Sequence, residues 1–272
     1  LLFCHHCGYI QRLVDECPEC ESTSLKSYGA GTEKIEQHLQ QLFPETPVSR
    51  VDRDTTQRVN AFSDLVADIK QGEARILVGT QMLAKGHDFH DVTLVGVLDT
   101  DQGLYSADFR ATENLAQMIT QVTGRAGRGE KSGEVIIQTE QPAHDFWKTL
   151  ITNGYKKTAE SLLQERIEMA LPQASNWTVI RAETADRAEA TAFLEAFSAQ
   201  CHQQLAEDVL ILGPVPAIME KKGGRFRAQL LLSSAQRKPL HQLLDQHISV
   251  ISRHKLARKV RWSIDIDPVD IL

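Results

Sequence analysis

Four short strand-like runs, separated by helical stretches or longer loops, limit what this chain can fold into. Val48 to Val51 is short and strand-like, and Arg75 to Gly79, Val92 to Leu98 and Glu134 to Gln138 are apolar, β-branched runs with the length of buried strands. Between the first pair, a helix is expected to follow Asp52-Arg53-Asp54-Thr55-Thr56 and to run through Lys70-Gln71-Gly72. A helix also precedes the first run: Gly31 to Leu39 has apolar residues at helical spacing behind Thr32 as N-cap, and it ends near Pro44. Strands alternating with helices predict an α/β domain, a mostly parallel sheet covered on both faces. The 272 residues allow two domains of ordinary size and a small appendage. No apolar run approaches the roughly 18 residues of a membrane span, and no signal peptide is visible.

Two loops of this domain carry phosphate chemistry. Gly79-Thr80-Gln81-Met82-Leu83-Ala84-Lys85-Gly86-His87-Asp88-Phe89 follows a strand directly, and ligands in such sheets bind beyond the carboxyl ends of the strands. Gln121-Val122-Thr123-Gly124-Arg125-Ala126-Gly127-Arg128 holds two arginines three residues apart among glycines. Guanidinium groups fork phosphate oxygens bidentately, and an arginine reaching a phosphate from outside its cradle is the arrangement of an arginine finger. Taken alone, a Gly-Arg pair is also what a solvated turn contains. There is no G-x-x-x-x-G-K-[ST] sequence; Gly124 to Ser132 comes near it, but Glu130 intervenes before Lys131-Ser132. Nor does a D-E-x-[HD] quartet follow a strand, since Asp15-Glu16-Cys17-Pro18 lies among the cysteines. This chain alone is therefore expected not to hydrolyse ATP.

Four of the five cysteines fall as Cys4-x-x-Cys7 and Cys17-x-x-Cys20. Such a turn places two thiolates on one tetrahedral metal, and two turns complete a structural Cys4 zinc site. The alternatives are a redox pair or buried core thiols. The gap of nine residues is shorter than usual zinc-ribbon spacing, which leaves open whether both pairs share one ion. His5 and His6 are not obvious ligands, and Cys201 reads as a small buried hydrophobe.

After Leu171-Pro172 the pattern changes. Asn176 to Ala182 reads as a strand, Arg187 to Leu205 as a helix and Val209 to Leu212 as a strand that turns at Gly213-Pro214. Ile218 to Lys221 and Arg225 to Leu232 pair as a hairpin across Lys222-Gly223-Gly224, followed by a helix over 238–251 and a strand over 260–266. That order predicts a small α+β sandwich with helices on one face of a mainly antiparallel sheet. The formal charge of −6 argues mildly against a nucleic-acid binder, yet 221–261 holds eleven Lys/Arg and a single acid, Asp245. Lys221, Lys222, Arg225 and Arg227 gather at the hairpin with Phe226 among them. Such cations neutralise phosphates and an aromatic stacks on an unpaired base; the alternative is a solvated, charged strand edge.

The glycine-threonine loop followed by Q-x-x-G-R-x-G-R resembles motifs V and VI of superfamily 2 helicases, where motif VI opens a helix in the second motor lobe. The resemblance narrows to the bacterial replication-restart helicases and runs nearly end to end. It takes in the cysteine pairs, Gly31-Thr32-Glu33, Arg50-Val51-Asp52-Arg53-Asp54-Thr55, Ser106-Ala107-Asp108-Phe109-Arg110, Leu212-Gly213-Pro214-Val215-Pro216-Ala217, Gly223-Gly224-Arg225-Phe226-Arg227 and Trp262-x-x-Asp265-x-Asp267-Pro268. It implies a second RecA-like lobe at 29–172, between a partial zinc module at 1–28 and a C-terminal DNA- or partner-binding domain at 173–272. The chain, starting at Leu1, would be the C-terminal part of a longer protein whose first lobe binds ATP and Mg²⁺. Arg125 and Arg128 would be the γ-phosphate contacts and finger, with Gln121, Gly86 and Asp88 bordering the nucleotide and Thr80 on the DNA backbone.

The resemblance further implies a DNA-dependent ATPase that translocates 3′ to 5′, recognises abandoned forks and starts primosome assembly. Its partners would be forked and single-stranded DNA, other primosome proteins and the acidic tail of single-strand DNA-binding protein, the last gripped by Arg237 and Lys238. The expected setting is a monomer in the bacterial cytoplasm, on the nucleoid and off the membrane. In similar proteins four cysteine pairs interleave around two zinc ions, so Cys4 and Cys7 would serve one ion and Cys17 and Cys20 the other. A scaffold with a vestigial motor is the competing reading.

Overall fold

A computed structural model describes residues 2–3, 10–12, 14–18, 20–24, 31–52, 75–80, 92–106, 108–124, 126, 132–172, 174–203, 208–269 and 271. The strands are β1 (Leu2–Phe3), β2 (Ile10–Gln11), β3 (Val48–Val51), β4 (Ile76–Gly79), β5 (Leu94–Val97), β6 (Glu134–Ile137), β7 (Asn176–Thr184), β8 (Val209–Lys222), β9 (Arg225–Ser234) and β10 (Arg261–Ile266). The helices are α1 (Thr32–Leu42), α2 (Asp101–Leu104), α3 (Ala111–Thr123), α4 (Asp145–Glu168), α5 (Arg187–His202) and α6 (Arg237–Ile251), with a 3-10 turn at Lys255–Arg258. Two compact units result: Leu1–Asp15, Ala107–Arg110 and Ala159–Leu272 form one, and Glu16–Ser106 and Ala111–Thr158 form the other.

In the second of these units, β3 pairs with β4 and β5 with β6, both in parallel. The four strand-like runs therefore become strands at the expected places, each trimmed at its ends to four residues. The helix expected between β3 and β4 lies outside the described residues. Thr32 does not cap α1: Gly31 occupies the N-cap position without a side-chain bond. The Thr32 hydroxyl instead donates to Asp52 Oδ2 at 2.8 Å, an ionised acceptor that outcompetes the local amide. Arg50 lies 3.3 Å from the same Asp52 and 3.7 Å from both Glu33 and Glu36, tying α1 to β3.

Around β5 the core consists of Val97, Leu115, Ala116, Ile119, Phe146, Trp147 and Leu150. Leu115, Ala116 and Ile119 mark the buried stripe of α3, one helical turn deep. Gly103 sits against it so closely that a Cβ there would come within 3.0 Å of Leu115 Cδ2. At the start of α2, the Asp101 carboxylate accepts from the Thr139 hydroxyl at 2.5 Å and from the Glu140 amide at 2.7 Å. Those two bonds hold its pKa below the ordinary value of 3.8. Gly154, at φ 78° and ψ 178°, interrupts α4 and makes it two helical pieces.

The other unit is built on a four-stranded antiparallel sheet ordered β10-β7-β9-β8. Pairing of β7 with β9 runs unbroken from Asn176↔Ser234 to Thr184↔Phe226. Alternation then sends Ile180, Ala182, Ala228, Leu230 and Leu232 to one face, where α5 and α6 pack. Phe193, Leu194, Phe197 and Cys201 from α5 and Leu240, Leu243 and Leu244 from α6 complete that core. Asp186 caps α5 by accepting from the Ala188 amide at 2.8 Å. The hairpin closes at Gly223 and Gly224, whose φ values of 56° and 78° are the positive angles a tight two-residue turn needs. The strand expected to turn at Gly213-Pro214 instead continues to Lys222 as β8, with register shifts between Leu212 and Val215 and between Pro216 and Lys221. One extra residue is absorbed at the first shift, and Gly213 at φ 101° supplies the backbone angle.

Thr178 is fully buried on the helix-covered face with no partner for its hydroxyl among the described residues. Thr178→Val should leave stability unchanged or raise it by about 1 kcal/mol, whereas Leu230→Ala should cost about 2–5 kcal/mol, both read from urea unfolding. Asp101→Asn should lower the melting temperature at pH 7. Because the folded pKa lies below 3.8, the carboxylate's contribution is present above that pH and lost as pH falls below it. The gap in melting temperature between wild type and variant should therefore hold from pH 7 down to about the ordinary carboxylate pKa and narrow only at lower pH.

Candidate nucleotide and nucleic-acid sites

Thr80 is exposed directly beyond Gly79, at the carboxyl end of β4. That is the edge at which parallel sheets bind ligands, and it suits the phosphate or DNA-backbone role expected of Thr80. Gly86 and Asp88 lie outside the described residues. Gln121 is exposed in the last turn of α3, and the helix ends as the Gly124 amide bonds to Thr120 O at 3.0 Å and the Ala126 amide to Val122 O at 3.2 Å. Gln121, Val122 and Thr123 thus lie in the last turn of a helix, whose buried stripe is N-terminal to them. Arg125 and Arg128 themselves lie outside the described residues.

Cys17 and Cys20 lie in one tight turn and form no disulfide. The Glu21 amide donates to Cys17 O at 2.8 Å, the Cys17 amide to Ser22 O at 2.9 Å, and Glu21 takes a φ of 55° to close the loop. A hydrogen-bonded turn presenting two unoxidised thiols fits half of a tetrahedral zinc set. Cys4 and Cys7 lie outside the described residues, and no group of three His, Cys, Asp or Glu suited to a metal occurs among those that are described. Cys201 differs in kind: it is wholly buried in α5, and burial pushes its thiol pKa up to about 12.

The basic hairpin is divided by the sheet. Lys222 pairs with Arg225 and Lys221 with Phe226, so Lys222, Arg225 and Arg227 stand on the face away from the helices while Lys221 and Phe226 stand on the helix side. The Phe226 ring carries Lys221 Nζ at 5.0 Å and Arg187 Cζ at 5.7 Å from its centroid. A base stacking there would have to displace these cations. Arg187 also pairs with Glu220. At the start of α6, Arg237 lies 2.8 Å from Asp267 and donates to Asn176 Oδ1 at 3.2 Å, while Lys238 is exposed.

Two groups of residues escape a linear reading. Arg166 is buried, stacks on Phe109 at 5.4 Å and donates to its carbonyl at 3.4 Å. Arg110 stacks on the same ring at 5.3 Å, and Trp177 lies 5.8 Å away. Only folding joins positions so distant in sequence. Arg181, Glu183 and Arg261 line a depression on the open sheet face, with Arg181 2.7 Å from Asp265 and Arg261 3.4 Å from Glu183. The polar positions of β7 signalled an outward face but not its partners.

The parallel strand pairs fit a RecA-like helicase lobe, and residues 21–130 match the helicase conserved C-terminal domain. Residues 167–269 match the primosomal protein N C-terminal domain. Over the whole chain, identity is 41% to replication restart protein PriA of Haemophilus influenzae, covering 37% of that protein. It is 36% to PriA of Bacillus subtilis over 98% of the chain and 33% of the relative, and 40% to PriA of Synechocystis over 100% and 32%. The chain belongs to the PriA family and spans about a third of the length of these relatives. A designed protein, Foldit4, overlays 35% of the chain at 10% identity and a TM-score of 0.28, below what a shared fold requires.

Cys201 should resist iodoacetamide at pH 8 in the folded protein and react once unfolded in guanidinium. Cys20, which is exposed, should label in the native state after treatment with a zinc chelator. Mass spectrometry of the labelled peptides reads both.

Proposed function

We propose that this chain supplies the second motor lobe and the C-terminal domain of an ATP-dependent DNA helicase that recognises abandoned replication forks and starts primosome assembly. The observation that carries this reading is the match of the whole chain to PriA proteins, together with Gln121, Arg125 and Arg128 in the Q-x-x-G-R-x-G-R sequence. In this reading Arg125 and Arg128 meet the γ-phosphate of an ATP held with Mg²⁺ mainly by an upstream lobe. Gln121 stands beside them, Gly86 and Asp88 border the nucleotide, and Thr80 touches the DNA backbone. The chain by itself has no phosphate-binding lysine loop and is inactive as an ATPase.

The division into 1–28, 29–172 and 173–272 follows the same reading. Cys4, Cys7, Cys17 and Cys20 would hold structural zinc, which locks the turns and does no chemistry on the substrate. The basic hairpin would bind DNA through Lys222, Arg225 and Arg227, with Lys221 and Phe226 on its other side. Lys238, beside Arg237, would meet the acidic tail of single-strand DNA-binding protein. The protein would act as a monomer in the cytoplasm; among the described residues no helix is long and apolar enough to cross a membrane.

ATP hydrolysis by the full-length protein, with and without forked DNA, tests the motor. DNA should stimulate turnover, and Arg125→Ala should lower it by roughly 10³–10⁵ if the side chain acts as a finger. Fork binding without any turnover would favour a scaffold instead.

A further inference from the structure

We propose that the open face of the C-terminal sheet, at its hairpin end, is a binding groove for the phosphodiester backbone of a DNA strand, with Arg181, Lys222, Arg227 and Arg261 as its phosphate contacts. The inference rests on the DNA-binding reading above and gives it a place that the hairpin sequence alone did not.

Register carries the argument. Arg261 lies opposite Glu183, and Glu183 opposite Arg227, so three strands contribute one row across the face. Adjacent strands are about 4.8 Å apart, which sets the two arginines about 10 Å from each other at the backbone with a single carboxylate between them. The next row outward places Ser263 opposite Arg181. Lys222 and Arg225 close the groove at the turn. Arg181, Glu183, Lys222, Arg227, Arg261 and Ser263 line one depression.

Charge favours an anion. Arg181, Lys222, Arg225, Arg227 and Arg261 are five cations on this face, against the two carboxylates Glu183 and Asp265, an excess of three positive charges. Asp265 holds Arg181 and Glu183 holds Arg261, but Lys222, Arg225 and Arg227 have no ion-pair partner among the described residues. A phosphate entering the row would take the free Arg227 and draw Arg261 from Glu183. The lining also argues against a peptide. Trp262 is its one aromatic, and that ring stacks on Phe193 at 5.7 Å on the helix side, leaving no apolar slot for a side chain. Recognition without stacking or base contacts is independent of sequence and strongly dependent on salt.

The test uses the full-length protein and fluorescent oligo-dT, with binding followed from 50 to 300 mM salt. Lys222→Ala with Arg227→Ala should reduce the slope of log K against log salt by about 1.4, at about 0.7 per lost contact to a single strand. The paired Lys222→Arg and Arg227→Lys variant should keep the slope. Glu183→Gln removes the competing carboxylate and should tighten binding several-fold, an effect that mere structural damage does not produce. Equal melting temperatures show that the variants fold. An unchanged slope in the double alanine variant overturns the groove, as does weaker binding in Glu183→Gln or a loss confined to an acidic peptide probe. DNA-stimulated ATP hydrolysis by the wild type, measured alongside, separates the two ideas. Stimulation with unchanged slopes sinks the groove alone, and altered slopes without any hydrolysis sink the helicase reading alone.

Discussion

The pairing of β7 with β9 is the constraint on which the C-terminal unit depends. Nine consecutive residues of each strand face one another without a bulge, from Asn176↔Ser234 to Thr184↔Phe226. With a side-chain period of two, that register sends Ile180, Leu230 and Leu232 under α5 and α6 and sends Arg181, Glu183 and Arg227 outward. A slip by one residue would exchange the two sets, burying three charged groups and exposing the largest aliphatic ones. The core, the split hairpin and the charged row on the open face are consequences of one alignment. The helices reinforce it, because Phe193, Leu194 and Phe197 are fully buried against that face.

The other unit depends on a different element, the helix α3. Gln121 lies in the last turn of α3, at the end where the helix dipole is negative and disfavours phosphate. The buried stripe of Leu115, Ala116 and Ile119 fixes this helix in its core. Gly103 lets α2 approach that stripe closely enough to hold it from the side.

Much of this was legible in the sequence. β3, β4, β5 and β6 fell where the short strand-like runs lay, although Leu94 of β5 and Ile136 of β6 are more than half exposed, so these strands are not covered on both faces among the described residues. Gly223-Gly224 marked its own turn, and Cys201 its own burial, because both depend on local chemistry. What escaped reading depended on distant partners. The Thr32 hydroxyl found Asp52 twenty positions away instead of capping its helix. β8 continued past Pro214 because β9 was long enough to pair beyond it. Lys221 and Phe226 were read with Lys222, Arg225 and Arg227 as one cluster, although a hairpin with a two-residue turn must divide them by face. Arg166 on Phe109 left no signal, since a buried arginine and its aromatic partner 57 positions apart share no pattern.

β8 lies at one edge of its sheet, and Leu210, Leu212, Val215 and Ile218 along it are between 45% and 61% exposed. An apolar edge strand of fourteen residues is ordinarily a template on which another chain can add itself. Here Pro214 and Pro216 remove two amide donors, and the register shifts on either side of Pro216 break the flat ribbon that a neighbouring strand would need. The irregularity that makes β8 look poorly formed is thus of the kind that discourages strand addition at a sheet edge. It allows the sheet to end on oily residues while its unbroken partner strands do the work of folding.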